Sequence, residues 1–185
     1  MSRILKPLAG AFLACFWTLG FGGFSSPFMQ SARADLPLNQ RYAYQPRRID
    51  SLRQMALELT NQDRVRYGLP HLRADSLLSK AAQKHAEDML RRNYFSHYSP
   101  EGKTPSDRFA AVGGRNGAAE NLLVLRDSSL IGAELGFKRL AFFERGWMGS
   151  PGHRQNLLDR RYGRFGFGMA MSGDRLYAVQ LFTFP

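Results

Sequence analysis

Cysteine is nearly absent: the 185-residue chain has one, Cys15, inside an apolar N-terminal run. Disulfides therefore cannot staple the rest, whatever the redox compartment, and a packed core has to supply the stability. Acidic side chains are also scarce, 15 against 26 Lys and Arg, which gives a formal net charge of +11. That balance points to anionic partners such as envelope polymers or lipid head groups, and it speaks about association rather than fold. Two catalytic signatures are missing as well. Without HExxH no helix carries two zinc ligands and a general base, and without GxSxG no strand-to-helix elbow presents a nucleophilic serine. Ser96, Ser99 and Ser150 each lie within a few residues of a histidine, but triad partners normally come from separate elements. Internal repeats and low-complexity tracts are absent, which leaves one globular domain as the expectation.

What is present begins with "MSRILKPLAGAFLACFWTLGFGGFSSPFMQSARAD", in which Arg3 and Lys6 precede an apolar run from Leu8 to Phe24 and the small-residue triplet Ala32-Arg33-Ala34 follows. This is the layout of a secretory signal peptide over residues 1–34, cleaved near Ala34. The alternative is an uncleaved anchor, since the run approaches bilayer-spanning length. Cleavage would leave 151 residues without cysteine and, after loss of Arg3, Lys6 and Arg33 with no acid beside them, a net charge of +8. The expected location is secreted, periplasmic or in the cell envelope, where nucleic acid is not an expected partner. Residues 35–48, proline-containing and without periodicity, read as a linker, and residues 49–185 as the domain.

From Asp50 the spacing of Leu52, Met55, Ala56 and Leu59 predicts a helix that stops at Gly68. A second helix is expected from Ser76 to Asn93, capped by Asp75, and a short one from Pro105 to Val112, capped by Thr104. "NLLVL" reads as a short buried strand, residues 129–148 as a helix weakened by Gly132, Gly136 and Gly146, and Pro151–Leu158 as another short helix. "FGFGMAM" and "LYAVQLFTF" around "SGD" form a hairpin signature. In its first strand Gly166, Gly168 and Ala170 share a face that a helix can approach closely; its second is apolar on both faces, as in a central strand. Helices early and strands late predict an α+β fold with helices on a small antiparallel sheet.

Of the four histidines, His97 and His153 lie at element ends beside Pro/Gly-rich loops, as does the acid Glu120. Two imidazoles and a carboxylate suit zinc or another divalent metal, and equally acid–base work near neutral pH. They are too far apart for one helix face to gather them. His97 also fits a cation at the C-terminal end of its helix. His153 sits in a first turn, where the helix dipole favours the neutral imidazole that a metal needs. Glu120 is either solvated at a loop rim or turned inward. His85 lies on an apolar stripe and reads as a hydrogen-bonded core histidine, and His71 as a residue without a role.

Five blocks in order, "NQDRVRYGLPHLRADSLLSKAAQKHAEDM", "FSHYSPEGKTPSDRF", "AAENLL", "WMGSPGHRQNLL" and "GRFGFGMAM...YAVQLF", resemble the bacterial branch of the CAP superfamily of cysteine-rich secretory, antigen 5 and pathogenesis-related 1 proteins. The resemblance covers about residues 50–184. It implies a three-layer α-β-α sandwich and a surface cavity lined by two histidines and two acids. His97 matches the first histidine, Glu120 the acid of the "[GA]EN" block and His153 the second histidine. The position of the second acid, one turn after Trp147, is Ser150 here, and Glu144 lies one turn before the tryptophan, off the matching position. The implied site is thus a His-Glu-His triad. The segment between Glu120 and Trp147 is longer than the family pattern, which suggests an addition at the cavity rim.

Two functions follow from the resemblance. One is a secreted binding module holding a lipid or other envelope ligand, with zinc or another divalent metal at His97 and His153 and Glu120 as a cavity ligand. The other is a metal-dependent peptidase or esterase in which Glu120 is the catalytic base.

Overall fold

The computed structural model describes residues 49–130 and 135–185. The expected signal peptide, its cleavage after Ala34, the linker 35–48 and part of the expected helix 129–148 lie outside the described residues.

Helix α1 (Ile49–Arg66) buries Leu52, Met55, Ala56 and Leu59, the stripe set by helical spacing. It ends at Gly68, whose φ of +66° is costly for other residues. Helix α2 (Ser76–Arg92) starts where the Asp75 carboxylate accepts the N–H groups of Leu77 and Leu78, both at 2.9 Å, and ends at Asn93 in the left-handed region. Helix α3 (Pro105–Ala110) opens on a reciprocal cap between Thr104 and Asp107.

A two-residue strand β1 (Arg73–Ala74) precedes α2; β2 is Ala119–Arg126, β3 Arg164–Ser172 and β4 Arg175–Thr183. The sheet order is β1-β3-β4-β2, with β4 antiparallel to both neighbours. One feature corrects the expectation of an antiparallel sheet: β1 runs parallel to β3, so the sheet is mixed. Two residues carry no period-2 signal, and only the fold reveals them as a strand. Strand β2 is also longer than "NLLVL", because all eight of its residues pair with β4.

Alternate residues of β4 enter different cores. Leu176, Ala178 and Phe182 pack with α1 and with helix α4 (Phe137–Gly149), whereas Tyr177, Val179 and Leu181 pack with α2 and Phe109 of α3. The result is the three-layer α-β-α arrangement. Helix α2 lies directly on the glycines of β3: a Cβ at Gly166 would come within 2.4 Å of Leu78, and one at Gly168 within 2.2 Å of the Gln83 backbone. Beyond β1 the open edge of β3 is closed by side chains. Arg53 donates to the Phe167 carbonyl at 3.1 Å, and the Gln83 amide bonds both backbone groups of Met169.

The helix expected over 129–148 starts only at Phe137. Ser128–Leu130 is a single 3-10 turn that seats Leu130 in the core, and extended backbone at Gly136 opens α4. Trp147 near the end of α4 is buried and donates Nε1–H to the Leu122 carbonyl at 3.0 Å. Helix α5 (Pro151–Leu157) follows after Ser150. Buried Arg64 ties the end of α1 to this region by donating to the carbonyls of Pro70, Leu157, Asp159 and Tyr162.

Candidate functional site

Adjacent residues of a strand point to opposite faces, and the start of β2 uses both faces. Glu120 turns toward α2 and α3, while Asn121 turns toward α4 and α5.

The Glu120 side chain is 1% exposed. A carboxylate buried to that extent requires charged or hydrogen-bonding partners, and it has them. Oε2 accepts from Arg108 of α3 at 2.7 Å, and Oε1 lies 2.9 Å from Nδ1 of His97. Arg108 also donates to the His97 and Lys103 carbonyls, at 3.0 and 2.8 Å, so one guanidinium holds both the acid and the loop that carries the histidine. A carboxylate can only accept, so His97 Nδ1 carries a proton, and in the neutral ring the lone pair is on Nε2. The His97 side chain is 48% exposed.

His85 of α2 lies behind this pair. Its Nε2 faces the Ser96 carbonyl at 3.1 Å and Glu120 Oε1 at 3.8 Å, and its Nδ1 faces the Tyr94 hydroxyl at 3.5 Å. Burial, only partly offset by the Glu120 charge, lowers its pKa below the usual imidazole value. It is the hydrogen-bonded core histidine that its place on the apolar stripe suggests, and it also backs the acid of the site.

Asn121 secures the other histidine. Its Nδ2 donates to the His153 carbonyl at 3.1 Å, and Asn156 of α5 returns bonds to Asn121 Oδ1 at 2.9 Å and to the Glu120 carbonyl at 3.2 Å. The dipeptide Glu120-Asn121 thus grips both histidine-bearing segments. The His153 imidazole is half-buried, and its pKa is lowered first by burial and then by the nearby charge of His97. The two rings are therefore within electrostatic reach of each other, and His153 favours its neutral form.

His97, Glu120 and His153 are gathered, but not as a three-ligand cage: among the described residues, no group of three His, Cys, Asp or Glu side chains is arranged to hold a metal ion. Glu144 lies on the other face of the sheet, buried against Gln180. After Glu120 strand β2 runs on to Arg126, six residues or roughly 20 Å along the strand, and residues 131–134 of the lengthened segment lie outside the described residues. Arg108, Asn121 and Asn156 were not singled out from sequence; their signal lies in tertiary partners, beyond any local spacing. Phe95 and Tyr98, both exposed, flank the His97 loop. On α5 the face opposite His153 opens on a groove of about 550 Å³ lined by Pro151, Arg154, Gln155, Leu158, Asp159 and Arg161.

Fold and site together define a small α-β-α domain in which His97 is bonded to Glu120 and the His153 backbone is tied to Asn121 at the same end of the sheet. The chain belongs to the cysteine-rich secretory protein (CAP) family, whose model matches residues 57–183. It is 33% identical over 130 residues to the uncharacterised Bacillus subtilis protein YkwD, covering 70% of this chain and 46% of that one. An extracellular SCP-domain protein of Bacillus anthracis superposes with a TM-score of 0.58 at 31% identity, over 72% of this chain and 40% of that one. An outer surface protein of Borrelia burgdorferi shares the fold with a TM-score of 0.58 at 21% identity, over 70% and 89% of the two chains. This chain thus matches less than half the length of the two Bacillus proteins.

Proposed function

We propose that the domain is an extracellular binding module whose two histidines hold a divalent metal, zinc first, beside a surface for an anionic, partly apolar envelope ligand. The observation that carries this reading is the Glu120–His97 bond. With Nδ1 committed to Glu120 at 2.9 Å, His97 offers Nε2, and the carboxylate acts as the orienting partner that metal-bound histidines commonly have. Glu120 itself is withheld from the metal by Arg108. His153, which favours its neutral form, supplies the second nitrogen. Bound there, a divalent ion would supply a Lewis-acidic centre for a ligand oxygen.

Exposed Phe95 and Tyr98 beside His97 supply apolar contact, and the excess of basic residues favours an anionic partner. An extracellular location is supported by the N-terminal layout and by the extracellular Bacillus anthracis relative. Among the described residues no helix is long and apolar enough to cross a membrane. The hydrolase reading has less support, because both Glu120 oxygens are engaged and a water would have to displace Arg108 or His97 to use this acid as base.

Zinc calorimetry on the wild type and the His97→Ala/His153→Ala variant tests the reading. Saturable binding lost in the variant is expected, and equal affinity in both overturns it.

A further inference from the structure

Across the sheet from Glu120, a second acid is buried without an ion pair among the described residues. Glu144 of α4 is 4% exposed; its Oε2 accepts from Gln180 Nε2 at 2.9 Å, and its Oε1 has no hydrogen-bond partner. Gln180 is fully buried and lies opposite Asn121 in the register of β2 and β4. Its Oε1 accepts from Asn121 Nδ2 at 3.1 Å, and the same Nδ2 donates to the His153 carbonyl at 3.1 Å. A primary amide nitrogen has two hydrogens, so Asn121 serves both acceptors at once, and moving either one moves its demand on the other. An unbroken chain of buried polar groups therefore runs from the Glu144 carboxyl to the backbone of His153.

We propose that Glu144 is a positioning residue for His153: through Gln180 and Asn121, its carboxyl sets where α5 begins and so where the second imidazole stands. The neighbours of the carboxyl make its protonation state the variable. Asp63 of α1 is a charged group acting on it and is itself paired with Arg66 at 2.9 Å; Thr60 of α1 and Gln180 of β4 face it as neutral dipoles. Arg64, also on α1, is committed to backbone carbonyls, and His153 on α5 stands at the far end of the chain. Burial, reinforced by Asp63 and opposed by the hydrogen bonds of Thr60 and Gln180, pushes the Glu144 pKa up to about 8. Below that pH the acid is neutral. Above it, both oxygens become acceptors, and the new charge pulls on the Gln180 amide and, through it, on Asn121.

The inference rests on the two-histidine reading for its functional consequence but not for its test, which uses no metal. The purified protein is titrated from pH 5.5 to about 9.5 while side-chain amide signals of Gln180 and Asn121 and the backbone N–H of His153 are followed by NMR, in wild type and Glu144→Gln. The variant keeps an acceptor for Gln180 and removes the titration. The expected result is a shared midpoint near pH 8 for all three signals, above the range of the His153 imidazole itself, and loss of that transition in the variant. A Gln180 response that stops short of Asn121 and His153, or a His153 curve unchanged in Glu144→Gln, overturns the proposal. The wild-type curves alone decide transmission if the variant does not fold.

Discussion

At the scale of single residues, the buried Glu120 carboxylate is the centre of the arrangement. Removing Arg108 leaves it without its permanent charge partner, which costs about 3–5 kcal/mol for a buried pair. Arg108→Ala is therefore expected to lower the chemical-denaturation midpoint strongly, whereas removing the exposed Arg161 from its pair with Asp159 leaves it nearly unchanged. Glu120→Gln weakens its hold on His97 Nδ1–H, and zinc affinity measured by calorimetry is expected to fall about 10–100-fold. His97, Glu120 and His153 were candidates in the sequence because each matches a block of the family pattern, and the structure bonds the first two. Arg108 and Asn121 were not, because what distinguishes them is a partner 12 or 32 residues away.

At the scale of elements, local chemistry set most boundaries. Asp75, Thr104 and Gly173 act through their own backbone neighbourhoods, and such signals survive in a linear reading. The start of α4 did not survive, because apolar residues at helical spacing continue upstream of Phe137 while the backbone at Gly136 is extended. The glycine face of β3 yields a test of packing. Gly168→Ala places a methyl against the Gln83 backbone, which cannot yield as a side-chain tip can. The expected loss is about 1–3 kcal/mol in a denaturant titration. The same substitution at Gly152 in α5, where nothing lies within 4 Å of the new carbon, is expected to cost nothing and to raise stability by up to about 1 kcal/mol.

At the scale of the whole molecule, the layering came from the family resemblance rather than from periodicity, since which helix covers which face depends on chain reversals that a linear pattern does not encode. The fold also sets opposing pH dependences. Glu144 titrates at about 8 in the folded chain against 4.5 for an ordinary glutamate, so its contribution is complete below 4.5 and is lost as pH rises through 8. His153 is shifted below 6.5, so its contribution is present above that value and is lost on acidification. Thermal melts are expected to show a decline of about 5–10 °C between pH 6 and 9, flattened in Glu144→Gln. The central claim is that Glu120 orients His97 so that Nε2 meets a metal, and the most direct measurement is a long-range proton–nitrogen NMR spectrum of the imidazoles before and after zinc. The account predicts a proton on His97 Nδ1 in both states and a zinc-induced shift at Nε2 of His97 together with a ring nitrogen of His153. A proton on Nε2, or zinc shifts confined to Nδ1, would contradict it.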